Sequence, residues 1–428
     1  MLGYVRGRVV RPLLENQTLL ILCATTMVVM MGQGIISPVL PLYAQSFDVD
    51  TAMIGLTIAI FGAARLVVNL PAGFLSERYG RRLLLFGGPA ITALGSLAGG
   101  LAPDFWWLIA SRFVAGAGSA MYMTGAMILL TDITTDEDRG RLMSIYQGSL
   151  LLGVSLGPAV GGFVAEGFGL DAPFYLVAAL AAAAMLWSFG RMPETVPARE
   201  PAPAPLAGQA PQPPPPRVSA RDSVLSLLAR PDFLLVCLLS MSIFLTRTGG
   251  RLTLLPLVGE NRLGLGPGEL GLIFTMMTVL NLATLLPAGT MIDRLGRKTV
   301  IVPSALVTGF ALVLFAVSGE VWMFVLAAVI HGLGTGIVGP APAAYAADIA
   351  PAGMRGVSMG LYRTFGDLGF VIGPILLGFL ADVTSFGWAL GLDAIILVSI
   401  ALLFAVFAGE TLRRPLAPQP QEAIDATR

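Results

Sequence analysis

The stretch Gly73-Phe74-Leu75-Ser76-Glu77-Arg78-Tyr79-Gly80-Arg81-Arg82 returns 216 residues later as Gly289-Thr290-Met291-Ile292-Asp293-Arg294-Leu295-Gly296-Arg297-Lys298. The same offset carries Asp132 to Asp348, Arg139-Gly140 to Arg355-Gly356, Tyr146 to Tyr362, Gly157-Pro158 to Gly373-Pro374 and Gly162 to Gly378. Upstream, Gly55 still meets Gly271, and Pro41 meets Pro256 one residue out of register. A half-chain repeated once is a duplication into two packed bundles, not a solenoid of short units. In an apolar chain, two parallel halves with a site between them are a transporter design.

The chain is 428 residues long, 55% hydrophobic and 12% charged, with a mean hydropathy of +0.80. Soluble domains carry about a quarter charged residues, so a water-soluble fold is excluded. Fifty-one glycines suit close helix packing in lipid. Net charge is zero and the charges crowd into short loops, so no nucleic-acid surface is implied. Cys23 and Cys237 each sit in an apolar run and read as buried free thiols, since a disulfide scaffold needs more cysteines in polar loops. Gly334-Thr335-Gly336-Ile337-Val338-Gly339 matches GxGxxG formally, but no strand precedes it, and a dinucleotide site needs strand, turn and helix together. No enzyme, cofactor or metal site is expected.

A membrane helix needs about 20 mainly apolar residues. Spans are predicted near 17–45, 51–76, 82–102, 105–131, 140–166, 172–190, 232–258, 268–292, 298–318, 320–347, 356–382 and 386–409. The fold class is thus all-α integral membrane, with twelve helices in two pseudo-symmetric six-helix bundles. Residues 1–190 form the N-terminal bundle, 191–230 a Pro-rich cytoplasmic linker, 231–412 the C-terminal bundle and 413–428 a cytoplasmic tail. The linker holds Pro201-Ala202-Pro203-Ala204-Pro205 and Pro213 to Pro216, a composition that cannot bury a core. Its end, Ser219 to Ala229, has the pattern of a short interfacial helix. Arg6, Arg8, Arg11, Arg78, Arg81, Arg82, Arg139, Arg141, Arg294, Arg297, Lys298, Arg355, Arg413 and Arg414 mark one side, and Asp48, Asp50, Asp104 and Glu320 the other, with Arg262 a basic exception. Basic loops favour the cytoplasm, so both termini are expected there.

These residues resemble the major facilitator superfamily across essentially the whole chain. Gly73 to Arg82 is similar to its signature loop between the second and third helices, and 289–298 is the echo between the eighth and ninth. The family pattern usually has aspartate where Glu77 stands, which leaves an ion pair available. Gly73 and Gly289 would let a neighbouring helix approach closely. Glu77, Arg78 and Arg81 with Asp132, and Asp293, Arg294 and Arg297 with Asp348, are either a cytoplasmic gate that breaks in each cycle or fixed topogenic charge. In the fifth helix, Gly153-Val154-Ser155-Leu156-Gly157-Pro158-Ala159-Val160-Gly161-Gly162 resembles the GxxxGPxxGG element of the superfamily's proton-coupled exporters. Gly153, Gly157 and Gly161 make a smooth helix-packing face and Pro158 bends the helix; Gly369, Gly373, Pro374 and Gly378 echo it. Arg112, in Arg112-Phe113-Val114-Ala115-Gly116-Ala117-Gly118, resembles the fourth-helix arginine associated with proton coupling, or else snorkels outward.

Polar residues deep in a membrane protein mark pathways for ions and substrate. Arg65 lies about 18 Å from the end of its helix at 1.5 Å per residue, near mid-membrane, with Asn69 one turn away. Gln33, in the broken sequence Gly32-Gln33-Gly34, is a cavity candidate, as are Tyr146, Gln147, Asn281 and Tyr362. Arg247 and Arg251 share a face of the seventh helix, and Arg363 and Asp367 a face of the eleventh. Asp367 is the leading protonatable residue, with Arg363 beside it; the two are either a titrating pair or a static one. His331, the sole histidine, either titrates or is satisfied within its helix. Asp393, on the twelfth helix, suits a structural or interfacial role. No carboxylate lies deep in the first helix, where similar antiporters often carry one.

The expected function is proton-coupled export of small amphipathic or hydrophobic compounds by alternating access. The site is a cavity whose Met and aromatic walls repack around different ligands. The expected partners are a small-molecule substrate, protons and the bilayer, with a monomer in a bacterial inner membrane. A carrier for an anionic solute or lipid is the rival, because the deep arginines outnumber the deep acids. A non-transporting sensor or scaffold would need a soluble domain, and none is evident.

Overall fold

The computed structural model describes residues 16–134, 138–191, 220–338, 341–351 and 354–411. Within these, the side chains of Glu77, Arg139, Ala220 to Ser223, Leu286 and Asp293 are not described. Most of the predicted linker, 192–219, and the tail from 412 fall outside the described residues.

The N-terminal bundle comprises α1 (Gln17–Ile36), α2 (Leu40–Gln45), α3 (Thr51–Tyr79), α4 (Arg81–Gly100), α5 (Phe105–Asp132), α6 (Arg139–Phe168) and α7 (Ala172–Arg191). After the linker come α8 (Ala220–Leu228) and α9 (Pro231–Leu245), which passes through a π-helical segment (Thr246–Leu254) into α10 (Leu255–Leu263). Next are α11 (Pro267–Leu295), α12 (Arg297–Val317), α13 (Val321–Val338), α14 (Ala341–Asp348), α15 (Arg355–Val383) and α16 (Phe386–Phe407). Among the described residues, twelve helical spans are long and apolar enough to cross a membrane. This is the twelve-span, two-bundle architecture expected from the repeat.

Two boundaries differ from the sequence reading, each for a local reason. The first span does not break at Gly32-Gln33-Gly34; it runs helical to Ile36 and breaks at Ser37, Pro38 and Val39. Gly34 stays helical because it packs face to face with Gly157, where a β-carbon would come within 3.0 Å of the Gly157 Cα, and proline is the residue that cannot continue the helix. The seventh span is wound as a π-helix in its middle, around Gly249 and Gly250. The short helix expected near 219–229 is present as α8, whose Leu227 is buried against Phe233 and Cys237.

The repeat is legible in the turns. Gly80 links α3 to α4 at φ 88°, and Gly296 links α11 to α12 at φ 105°, values that disfavour any residue with a β-carbon. Gly153, Gly157 and Gly161 line the face of α6 that meets α1, and a β-carbon on Gly153 or Gly161 would collide with the carbonyls of Met27 or Ile35.

The two bundles meet along α3 with α15 and α6 with α11. A β-carbon on Gly271 would come within 2.5 Å of the Pro158 carbonyl oxygen, and one on Gly55 would collide with the Pro374 carbonyl. Gly162 faces the Pro267 carbonyl, and Gly378 faces that of Thr51. Each contact is the other shifted by 216 residues. On the same face, the Gln45 amide donates to Asn261 Oδ1 at 3.2 Å across the seam. Asp382 at the end of α15 accepts from the Thr51 and Ala52 amides, both at 2.8 Å, and so caps α3 of the other bundle. Its counterpart Glu166, at the end of α6, stands against Gly268 in the first turn of α11. Towards the opposite ends of the same four helices, Gly73, Gly148, Gly289 and Gly360 would meet nothing within 4 Å if given a β-carbon. The bundles are therefore closed on the face of the acidic loops and apart on the face of the arginine loops. Gly73 and Gly289, expected to admit a close neighbour, have none in this conformation.

Candidate substrate and proton site

Where the seam ends, α3, the π segment and α15 bring their deep polar residues together. The open side of the seam is a cleft lined by Gly62, Arg65, Leu66, Asn69, Asp367 and Phe370. Arg65 and Asn69 are one turn apart on α3, and Arg65 interacts electrostatically with Asp367, Arg363 and Arg247. Arg65 and Arg363 both act on the Asp367 carboxylate, and Arg247 of the π segment acts on Arg65. None of them closes to an ion pair with Asp367 among the described residues, where the ion pairs formed lie elsewhere. Asp367 is half-buried, and Arg363 and Arg247 are exposed. Such a carboxylate is held by long-range attraction and keeps its oxygens free for a proton or for a substrate's donors. The Arg247 guanidinium lies over the Phe244 ring at 6.0 Å, and that of Arg251 over Phe274 at 5.7 Å.

The remaining candidates are distributed elsewhere. Arg112 is buried inside the N-terminal bundle, its guanidinium over the Phe61 ring at 4.6 Å and its Nε without a partner. His331 is sealed within the C-terminal bundle beside Phe315, ring centroids 6.2 Å apart, with neither ring nitrogen bonded. The four residues expected to couple protons are thus split, with Asp367 and Arg363 at the cleft and Arg112 and His331 away from it. Gln33 Nε2 donates to Ser119 Oγ at 2.9 Å, and Thr26 pairs with Tyr122 Oη at 2.8 Å, which gives α1 and α5 a polar seam. Tyr146 is buried in the same bundle, against Met123, whereas Gln147 is exposed. In the other half, Asn281 Nδ2 donates to Thr335 Oγ1 at 3.1 Å. Tyr362 is partly buried over the cluster of Leu227, Phe233 and Cys237.

At the arginine loops, Arg81 Nε donates to Asp132 Oδ2 at 2.9 Å and Arg297 Nε to Asp348 Oδ2 at 3.1 Å. Each arginine also reaches the preceding helix, Arg81 at the Ser76 carbonyl and Arg297 at the Ile292 carbonyl. Each pair ties helices of one bundle, and both are made with the bundles apart on that side. Arg78 and Arg294 are exposed. Glu77 and Asp293 lie outside the described side chains. Sequence reasoning missed Ser119, Tyr122, Glu166, Asp382 and Glu410, which binds the Arg297 and Lys298 amides. Glu166 and Asp382 carried a findable signal: both are acids at span ends separated by the repeat offset.

A seam of main chain and glycine between two repeated six-helix bundles, with charges gathered where it opens, defines a membrane transporter. The Major Facilitator Superfamily model matches residues 22–268 and 248–427, and the chain belongs to that superfamily. It is 26% identical to Multidrug resistance protein 2 of Bacillus subtilis over 375 residues, covering 86% of this chain and 90% of that protein. It is 24% identical to Quinolone resistance protein NorA of Staphylococcus aureus over 369 residues, covering 86% of this chain and 91% of that one. A bacterial homolog of the human lysosomal transporter Spinster, in an inward-facing and occupied conformation, superposes with a TM-score of 0.74 at 15% identity, covering 94% of this chain and 98% of that one.

Proposed function

We propose that this chain is a proton-coupled exporter of small amphipathic compounds, working by alternating access, and that Asp367 is its exchangeable proton site. The observation that carries this reading is Asp367, without an ion pair among the described residues and attracted by Arg65 and Arg363, with Arg247 acting on Arg65, at the mouth of the closed seam. A neutral Asp367 leaves three cations unbalanced, whereas an ionised one offsets one of them, so proton and substrate compete through the same charge. If the arginine loops face the cytoplasm, the structure is inward-facing and ready to load substrate. Likeness to two drug-resistance proteins supports export of amphipathic compounds. Arg81 with Asp132 and Arg297 with Asp348 then brace the cytoplasmic ends of each bundle as the halves rock.

A second reading, carriage of an anionic solute or lipid, is favoured by the excess of three guanidinium groups over one carboxylate. One experiment separates the two: the protein in liposomes with an imposed pH gradient, assayed with a lipophilic cation and with an organic anion. Gradient-driven movement of the cation supports the first reading, and of the anion alone the second. Failure of the gradient to drive either substrate would end the proton-coupled proposal.

A further inference from the structure

Asp393 was expected to be structural or interfacial, on a helix that is peripheral in this fold. It is fully buried, at 0% exposure, on α16 where that helix meets the π segment of the seventh span. Its Oδ1 accepts from Thr246 Oγ1 at 2.7 Å, and its Oδ2 has no partner. Oδ2 lies against the Cα of Gly250, where a β-carbon would collide with it, and Leu312 of α12 closes the same spot. Thr246 and Gly250 are therefore both fitted to this carboxyl. Both belong to the stretch that is wound as a π-helix, a rare geometry that concentrates at functional sites. Arg247 and Arg251 directly follow these two residues, so one nine-residue segment touches Asp393 and also carries Arg247, which acts on Arg65 of the cleft.

We infer that Asp393 is a second proton-binding site, filled in this conformation, whose charge governs the winding of the π segment. An ionised carboxylate enclosed in apolar side chains with a single hydrogen bond is strongly disfavoured; the neutral acid is not. Among the described residues, four elements pack against α16: the π segment, α9, α12 and α15. On α9 the charged group is Asp232 in the first turn, tied to Arg230, and α15 begins with Arg355, which is exposed. The π segment brings Arg247 and Arg251, directed at Phe244 and Phe274. Along α12 the charges Arg297 and Lys298 lie at its first turn, tied to Asp348, Glu410 and Ala408. From α15 come Arg363 and Asp367 at the cleft and Asp382 on the far face, capping α3. His331 of α13 stands beside Phe315. Among the described residues none forms an ion pair with Asp393. Proton release breaks the O–H bond at Oδ2, leaves its electron pair on the carboxylate and passes the proton to water that reaches the site only as the segment rewinds. The new charge is then met by Arg247 or Arg251, which reach it when the segment rewinds from π to α. The site is suited to a proton rather than a metal ion, as no cluster of three ligating residues exists among the described residues.

The transport consequence rests on the proton-coupled reading above; proton binding itself does not, so it is measured separately. Infrared pH titration of full-length Asp367→Asn protein in lipid should show a protonated-carboxyl band at neutral pH that disappears in the Asp367→Asn/Asp393→Asn double variant. A spectrum without that band in the single variant would overturn the inference. In liposomes, Asp393→Asn should reduce pH-gradient-driven accumulation by about tenfold or more while substrate exchange at equal pH stays within about twofold. Undiminished gradient-driven accumulation, or dependence on a sodium gradient that Asp393→Asn removes, also overturns it. If Asp393→Asn fails to insert, Thr246→Val decides: loss of the donor should carry the band to higher pH, and an unmoved band counts against the site.

Discussion

Arg81 Nε and Asp132 Oδ2 stand 2.9 Å apart, and 216 residues later Arg297 Nε and Asp348 Oδ2 stand 3.1 Å apart, each arginine also bonded to the carbonyl of the helix before it. Gene duplication has conserved not just residue types but a three-helix tie. Its position near the arginine loops, formed while those loops are spread, makes each bundle a rigid body at the end that moves.

Asp132→Asn removes the charge from a hydrogen bond worth about 1.5–3 kcal/mol in one bundle and leaves its counterpart intact. Transport per inserted molecule should fall well below wild type while membrane insertion is nearly unchanged, as read by initial rates in liposomes normalised to protein. Equal rates would mean that the pair is passive.

Asp382 binds two amides at the start of α3 across the seam, and Glu166 stands likewise at α11. A carboxylate at a helix N-terminus contributes about 0.3–1 kcal/mol. Asp382→Asn should therefore loosen the closed face, and Asp382→Asn with Glu166→Gln should do so by about twice the free energy. Thiol accessibility at cysteines placed at positions 45 and 261 is the readout, with accessibility rising in that order.

Glycine substitutions should act in opposite directions at the two ends of one seam. Gly271→Leu strikes the Pro158 carbonyl and Gly162, so it disfavours the present conformation. Gly148→Leu has open space in this conformation and obstructs only the state in which the arginine face closes. Distance measurements between spin labels on the two bundles should show the first variant shifted away from this state and the second locked in it.

Asp367→Asn keeps the size of the side chain and removes its charge. It should abolish pH-gradient-driven transport and leave the protein folded, as shown by an unchanged elution volume in detergent. Gradient-driven accumulation equal to wild type would remove Asp367 from the coupling step.

The fold was legible because its causes are local and repeated: apolar runs of membrane length, glycine turns at 80 and 296, and a constant offset. Arg65, Arg363 and Asp367 were legible too, since a charge deep in an apolar span is rare enough to stand out. Conformation was not legible, because Gly73 and Gly271 read alike in sequence, yet one faces open space and the other a carbonyl. The burial of Asp393 was not legible, because it depends on the winding of another span around Gly249 and Gly250. His331 and Arg112 lie on spans whose inward faces cannot be told from their packed faces by periodicity alone.

At Gly55, Gly162, Gly271 and Gly378 the nearest atoms across the seal are main-chain atoms, carbonyl oxygens foremost. Its fit consequently does not depend on the chemical character of the cavity walls a few turns away. A lineage can exchange aromatic, methionine or arginine residues around Asp367 and acquire new cargo without retuning the mechanical joint. Breadth of substrate and fidelity of the moving parts are, in this architecture, separately heritable.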